Sequence, residues 1–142
     1  MYTQQQSKKS SLFLMELIIV LFFFALCSAV CVNIFAKAKL INEQSYELNK
    51  SVIAAQNAAQ CFKAADSDIT KLADLLNGTA EGNTLKIGYD KNWQNSELTN
   101  AVNIMTINIK ISKDNLDKAY ITIFKADKVI YSLEVNHLRN TQ

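Results

Sequence analysis

Residues 12–35, LFLMELIIVLFFFALCSAVCVNIF, carry a single charge, Glu16, and 16 of the 24 side chains are Leu, Ile, Val or Phe. As a helix this run extends about 36 Å at 1.5 Å per residue, enough to cross a hydrocarbon core of roughly 30 Å. Insertion gains roughly 0.3 to 0.6 kcal/mol for each large apolar residue, which outweighs the ~3 kcal/mol cost of one carboxylate. Glu16 therefore does not prevent insertion. From Lys37 onward the polarity is mixed, so the 49% hydrophobic content of the chain is concentrated in this segment. The sequence divides into an anchor and a domain, and 142 residues leave room for one modest domain.

A cleavable secretory signal is the rival reading, because Lys8 and Lys9 precede the run and Ala36-Lys37-Ala38 offers small residues. The run is too long for that role. Lipoprotein processing is disfavoured as well, since bulky Leu26 and Val30 precede Cys27 and Cys31. Charge leaves orientation open: Lys8 and Lys9 stand on one side, Lys37 and Lys39 on the other. Without Lys8, Lys9 and Glu16 the chain holds 13 basic and 12 acidic side chains, so no nucleic-acid partner is indicated. Cys27 and Cys31 lie one helical turn apart in the apolar run and Cys61 stands alone, which excludes a disulfide framework. The thiols are expected to pack as small hydrophobes, with an intermolecular bridge through Cys61 left open.

The stretch Lys8-Lys9-Ser10-Ser11-Leu12-Phe13-Leu14-Met15-Glu16 resembles the class III signal sequence of type IV pilins and type II secretion pseudopilins. A basic leader, a small residue before the first apolar one, and a glutamate as the fifth residue of the helix match together. The resemblance covers about the first third of the chain. It implies that a prepilin peptidase cuts between Ser11 and Leu12, that the new N-terminus is methylated, and that Lys8 and Lys9 stay in the cytoplasm. It also implies that Glu16 meets the freed ammonium of Leu12 on a neighbouring subunit. The sequence departs from the usual pattern in having Ser11 and Leu12 where Gly and Phe are common. A carboxylate in a membrane helix is costly without a partner, which is the physical reason for assigning Glu16 an assembly role. Snorkelling to the interface is the competing explanation.

No Pro or Gly interrupts residues 12–77, so the apolar helix is expected to continue into an aqueous domain. Beyond Asn33, the residues Ile34, Ala38, Ile41, Ser45, Leu48, Val52, Ala55, Ala59 and Phe62 recur at spacings of three and four, one stripe on one face. Lys39, Glu43, Glu47, Lys50 and Lys63 face the other way. Packing on a sheet is preferred to a coiled coil because strand signals follow. A second short helix, capped by Ser67 or Asp66, carries Ile69, Leu72, Leu75 and Leu76 and stops at Asn77-Gly78. A polar loop comes next. Strands are expected over residues 85–89, 105–112, 119–124 and 129–135. In them Met105, Ile107, Ile109 and Ile111 share one face, as do Val129, Tyr131, Leu133 and Val135. The short connections at Lys113-Asp114-Asn115 and Ala126-Asp127-Lys128 imply an antiparallel meander. The expected fold is α+β: a long N-terminal helix, transmembrane then amphipathic, on a meander of three to four strands.

Little points to catalysis. His137 has no Cys or second His at metal spacing, and neither Asp66 with Asp68 nor Asp114 with Asp117 has the spacing or glycine of a calcium loop. There is no phosphate loop or nucleophile elbow. Trp93 and Tyr89 are read either as an exposed aromatic contact or as half-buried anchors at a sheet edge. No cofactor or metal is expected, and no enzymatic activity.

The sequence thus reads as a leader (residues 1–11), an assembly helix (12–35) and an exported domain (36–142). The expected role is that of a structural subunit, minor rather than major, of a type IV pilus, type II secretion or competence-type filament. Its partners would be other pilin-like subunits, the prepilin peptidase and the membrane. The alternative is a non-polymerising single-pass protein with an extracellular binding domain.

Overall fold

The computed structural model describes residues 3–139, with side chains described from Lys9 onward. The first helix, α1, spans Thr3–Ala64. No proline occurs anywhere in the chain and its three glycines all follow this helix, so the hydrogen-bond ladder meets no breaker. Two serines inside α1 bond back to the helix: Ser28 Oγ donates to the Phe24 carbonyl at 2.9 Å, and Ser51 Oγ to the Glu47 carbonyl at 2.8 Å. The chain separates into two units, Met1–Gln44 and Ser45–Gln142.

In the first unit every described side chain is exposed, including all the large apolar groups of residues 12–35. By length and composition this is a helix able to cross a membrane.

The second unit begins with the remainder of α1, whose buried line is Ser51, Ala55, Ala58 and Phe62, continued by Ala65 just past the helix end. This corrects the expected stripe. Ala55 and Phe62 belong to it, Val52 and Ala59 are half-buried beside it, and Ser45 and Leu48 are exposed. Glu47 and Lys50, expected on the wet face, are half-buried, and Glu47 pairs with Lys125. The buried side chains at 51, 55 and 58 are small, so Phe62 is the one large group that this line of the helix puts into the core.

Helix α2, Ile69–Leu76, buries Leu72 and Leu76. Its N-cap is Asp68 rather than Ser67 or Asp66: the Asp68 carboxylate accepts from the backbone N–H groups of Thr70 and Lys71. These bonds, with the Thr70 hydroxyl first among them, hold the Asp68 carboxyl below its ordinary range. At the other end Asn77 takes the left-handed conformation that closes the helix.

Six strands follow: β1 (Thr79–Glu81), β2 (Thr84–Tyr89), β3 (Asn95–Ser96), β4 (Asn103–Lys110), β5 (Leu116–Lys125) and β6 (Lys128–Leu138). They form one antiparallel sheet in the order β1-β2-β4-β5-β6, with β3 also paired to β2. The four expected strands are β2, β4, β5 and β6. The segment expected as a polar loop instead makes β1, joined to β2 by a turn in which Gly82 has φ +60°. At Gly88 the backbone of β3 comes so close that an added Cβ would lie 2.5 Å from the Ser96 carbonyl oxygen.

The inner face carries Leu85, Ile87, Met105, Ile107, Ile109, Ala119, Ile121 and Ile123, all buried. Two expectations of alternation end early. Strand β4 stops at Lys110 because the Ser112 N–H turns to the Asp117 carboxylate at 3.0 Å, and Ile111 is left exposed. In β6 a bulge falls where Ile123 pairs Tyr131 but Phe124 pairs Val129, so Ile130 is the extra residue. The phase shifts there: Ile130 and Tyr131 both pack on the core, and Val129, expected inward, is exposed.

Candidate functional site

The residues singled out for processing and assembly all lie in the first unit. Lys9, Ser11, Leu12 and Glu16 are exposed on α1, and the Lys8 side chain lies outside the described residues. Leu12 and Glu16 are four residues apart and so share a face one turn from each other. Among the described residues Glu16 makes no ion pair. The sequence reading pairs Glu16 with the Leu12 of another subunit, an arrangement that concerns two chains. Cys27 and Cys31 are exposed on the same helix, and all three cysteines are free.

The second unit collects its polar chemistry in three places. Just past α1, His137 Nε2 lies 2.9 Å from Asp66 Oδ1, and the His137 ring meets Phe62 edge-on with centroids 6.0 Å apart. This tie joins β6 to a segment in which Asp66 and Ser67 both have positive φ, at +50° and +65°. On β5, directly opposite His137 in the strand register, Asp117 is fully buried. Its Oδ1 accepts from the Ser112 N–H and from the Arg139 guanidinium, while Arg139 Nε approaches Oδ2 at 3.3 Å as an ion pair without hydrogen-bond alignment. Both clusters hold chain segments together. No group of three or more metal-ligating side chains occurs among the described residues.

The third place is the loop between β2 and β3. The Asp90 carboxylate accepts from the N–H groups of Asn92 and Gln94 at 2.8 and 2.9 Å, and the Trp93 N–H donates to the Asp90 carbonyl at 3.1 Å. The loop wraps around Asp90 and holds Trp93 at φ +62°. Its indole packs beside Tyr89, with ring centroids 5.7 Å apart. Burial pushes the Tyr89 phenol up to about 12, with the nearby Cys61 thiol adding to the effect. Trp93 is half-buried and Tyr89 nearly covered, so the pair has one foot in the core and one at the surface. The sequence marked these two aromatics but not Ile53, Asn57 and Leu75, which line the same cleft. Their signal was an excess: Ile53 lies off the predicted apolar stripe, and Leu75 is exposed although it belongs to an apolar set.

No family model matches the chain, and neither a curated protein nor a solved structure matches it. Element order and side-chain placement therefore carry the functional reading: a bare apolar N-terminal helix, followed by an antiparallel sheet on which the helix's C-terminal part packs.

Proposed function

We propose that this chain is a pilin-like structural subunit, processed at Ser11-Leu12 by a prepilin peptidase and assembled through α1 into a short filament of the type IV pilus, type II secretion or competence kind. One observation carries the reading: a lone carboxylate, Glu16, sits one turn beyond Leu12 in a helical segment, residues 12–35, whose apolar side chains are all exposed. In lipid such a carboxylate is costly unless a cation meets it. Cleavage before Leu12 creates an ammonium at the matching depth of the next subunit, and the two charges compensate each other. The lysines flanking the span balance each other, so the cytoplasmic N-terminus, with the sheet domain on the outer side, rests on the resemblance of the leader to a class III signal sequence. The subunit works by assembly, not by catalysis.

Two measurements test this. Intact mass of the protein co-expressed with a prepilin peptidase should show loss of residues 1–11; retention of Met1 would sink the processing step. Glu16→Gln keeps the side-chain shape but removes the attraction to the Leu12 ammonium. Subunit cross-linking should therefore fall while membrane levels hold. If Glu16→Gln and Glu16→Leu both cross-link like the parent, the non-polymerising, membrane-tethered binding protein becomes the better reading.

A further inference from the structure

Between the C-terminal part of α1, the end of α2 and the Trp93 loop lies an open cleft of about 490 Å³, within the range of small-ligand sites. We propose that this cleft binds a neutral oligosaccharide, with the Trp93 indole as the stacking surface and the carboxamides of Asn57 and Asn92 as partners for hydroxyl groups. The proposal does not depend on polymerisation.

Four features select this class of ligand. A sugar ring presents an apolar C–H face and an edge of hydroxyls, so it needs an aromatic surface beside groups that both donate and accept hydrogen bonds; carboxamides do both. Trp93 with Asn57 and Asn92 supplies that combination, and the exposed side chains of Ile53 and Leu75 extend the apolar floor. Next, the ionisable lining favours neutrality. Lys50 is the cation there, and its ammonium lies over the Tyr46 ring, 5.6 Å from the centroid. A phosphate or carboxylate ligand would find one ammonium in the lining and no second cation beside it. The cleft is also open along one side, so a flat aromatic ligand would keep much of its surface in water, whereas the outer hydroxyls of a sugar remain hydrated at no loss. Finally, Trp93 is held in the left-handed region, which a bulky side chain rarely adopts, by a loop wound around the Asp90 carboxylate. A tryptophan serving only as a core plug would not need that backbone. The backbone places the ring where it is half-buried against Tyr89 and half available at the cleft.

Trp93 is the only tryptophan in the chain, so tryptophan emission, excited where the five tyrosines do not absorb, reports on the cleft. The full chain, in zwitterionic micelles whose detergent has no sugar headgroup, would be titrated with chitotriose and with maltotriose. A saturable change with at least one trisaccharide is expected. Asn57→Phe, a substitution at an exposed helix position that fills the cleft, should weaken binding at least about tenfold with unchanged circular dichroism. Trp93→Ala, read by ligand-observed saturation-transfer NMR, should do the same. No saturable response to either sugar up to about 10 mM would overturn the proposal, as would binding that survives Asn57→Phe in a folded protein.

Discussion

Residues 12–35 and residues 51–65 are both helical over nearly all their length, yet they use apolar side chains in opposite ways. The first stretch is built from Leu, Ile, Val and Phe and buries none of them within the chain; the second buries Ser51, Ala55, Ala58, Phe62 and Ala65, only one of which is large. If burial inside the protein were the reason for apolarity, the bulk would be in the second stretch. Its presence in the first is compatible with a segment that crosses a membrane, by length and composition. The second half packs on the sheet through small side chains and one phenylalanine.

The sharpest way to break that comparison is to remove one phenylalanine from each half. Phe62→Ala should destabilise the sheet unit by about 3–5 kcal/mol, because the ring is fully buried and its cavity cannot collapse against a rigid sheet. Phe23→Ala, at an exposed position, should leave that unfolding transition where it was. Denaturant unfolding of the micelle-embedded chain, followed by tyrosine and tryptophan signals, distinguishes the two. Equal losses would mean that the halves share one core.

Alkaline titration sharpens the same contrast. The Tyr89 phenol is pushed up to about 12 by burial, so the folded form retains a proton that the unfolded chain releases near its ordinary 10.0. Stability from this group is complete below pH 10 and is lost as pH rises from 10 towards 12, a decrease of roughly 2–3 kcal/mol in the sheet unit. Tyr89→Phe should flatten that part of the profile, and a profile unchanged by the substitution would contradict the burial. The helical signal of the apolar half should be insensitive to this titration.

The smallest effect is expected at Glu47, paired with Lys125 where both side chains are partly exposed. Glu47→Ala should cost about 0–1 kcal/mol and become neutral at high salt. A larger loss would show that the packed half depends on charge as well as on burial.

What the sequence disclosed follows the range of the interactions involved. The end of α2 at Asn77 was legible because a left-handed cap is a property of a few neighbouring residues; its start was misplaced by one or two positions, among Asp66, Ser67 and Asp68, any of which offers a capping oxygen. Strands β2, β4, β5 and β6 were legible through alternation. The two short strands were not, because Thr79–Glu81 and Asn95–Ser96 are polar, and they become strands only through pairing with β2. The helix stripe was right at Ala55 and Phe62 but one residue off at Val52 and Ala59, whose neighbours Ser51 and Ala58 are the buried ones, because alanine and serine bury as readily as they stay exposed. A bulge of one residue in β6 was invisible to any rule of alternation. The cleft was half legible: Tyr89 and Trp93 stood out as aromatics, but the helix face opposite them is defined only once the stripe has its true phase.

Among the described residues, seven other than glycine hold positive φ: Asp66, Ser67, Asn77, Trp93, Asn115, Ala126 and Asp127. Asparagine and aspartate accept that region with some ease, but Ser67, Trp93 and Ala126 resist it. The two-residue turn of the β5–β6 hairpin, Ala126-Asp127, is therefore a poor seed for its own hairpin. Pairing in the middle of β5 and β6 is expected to precede closure of this turn, so folding rates should respond more to Ile121→Val than to a substitution at Ala126.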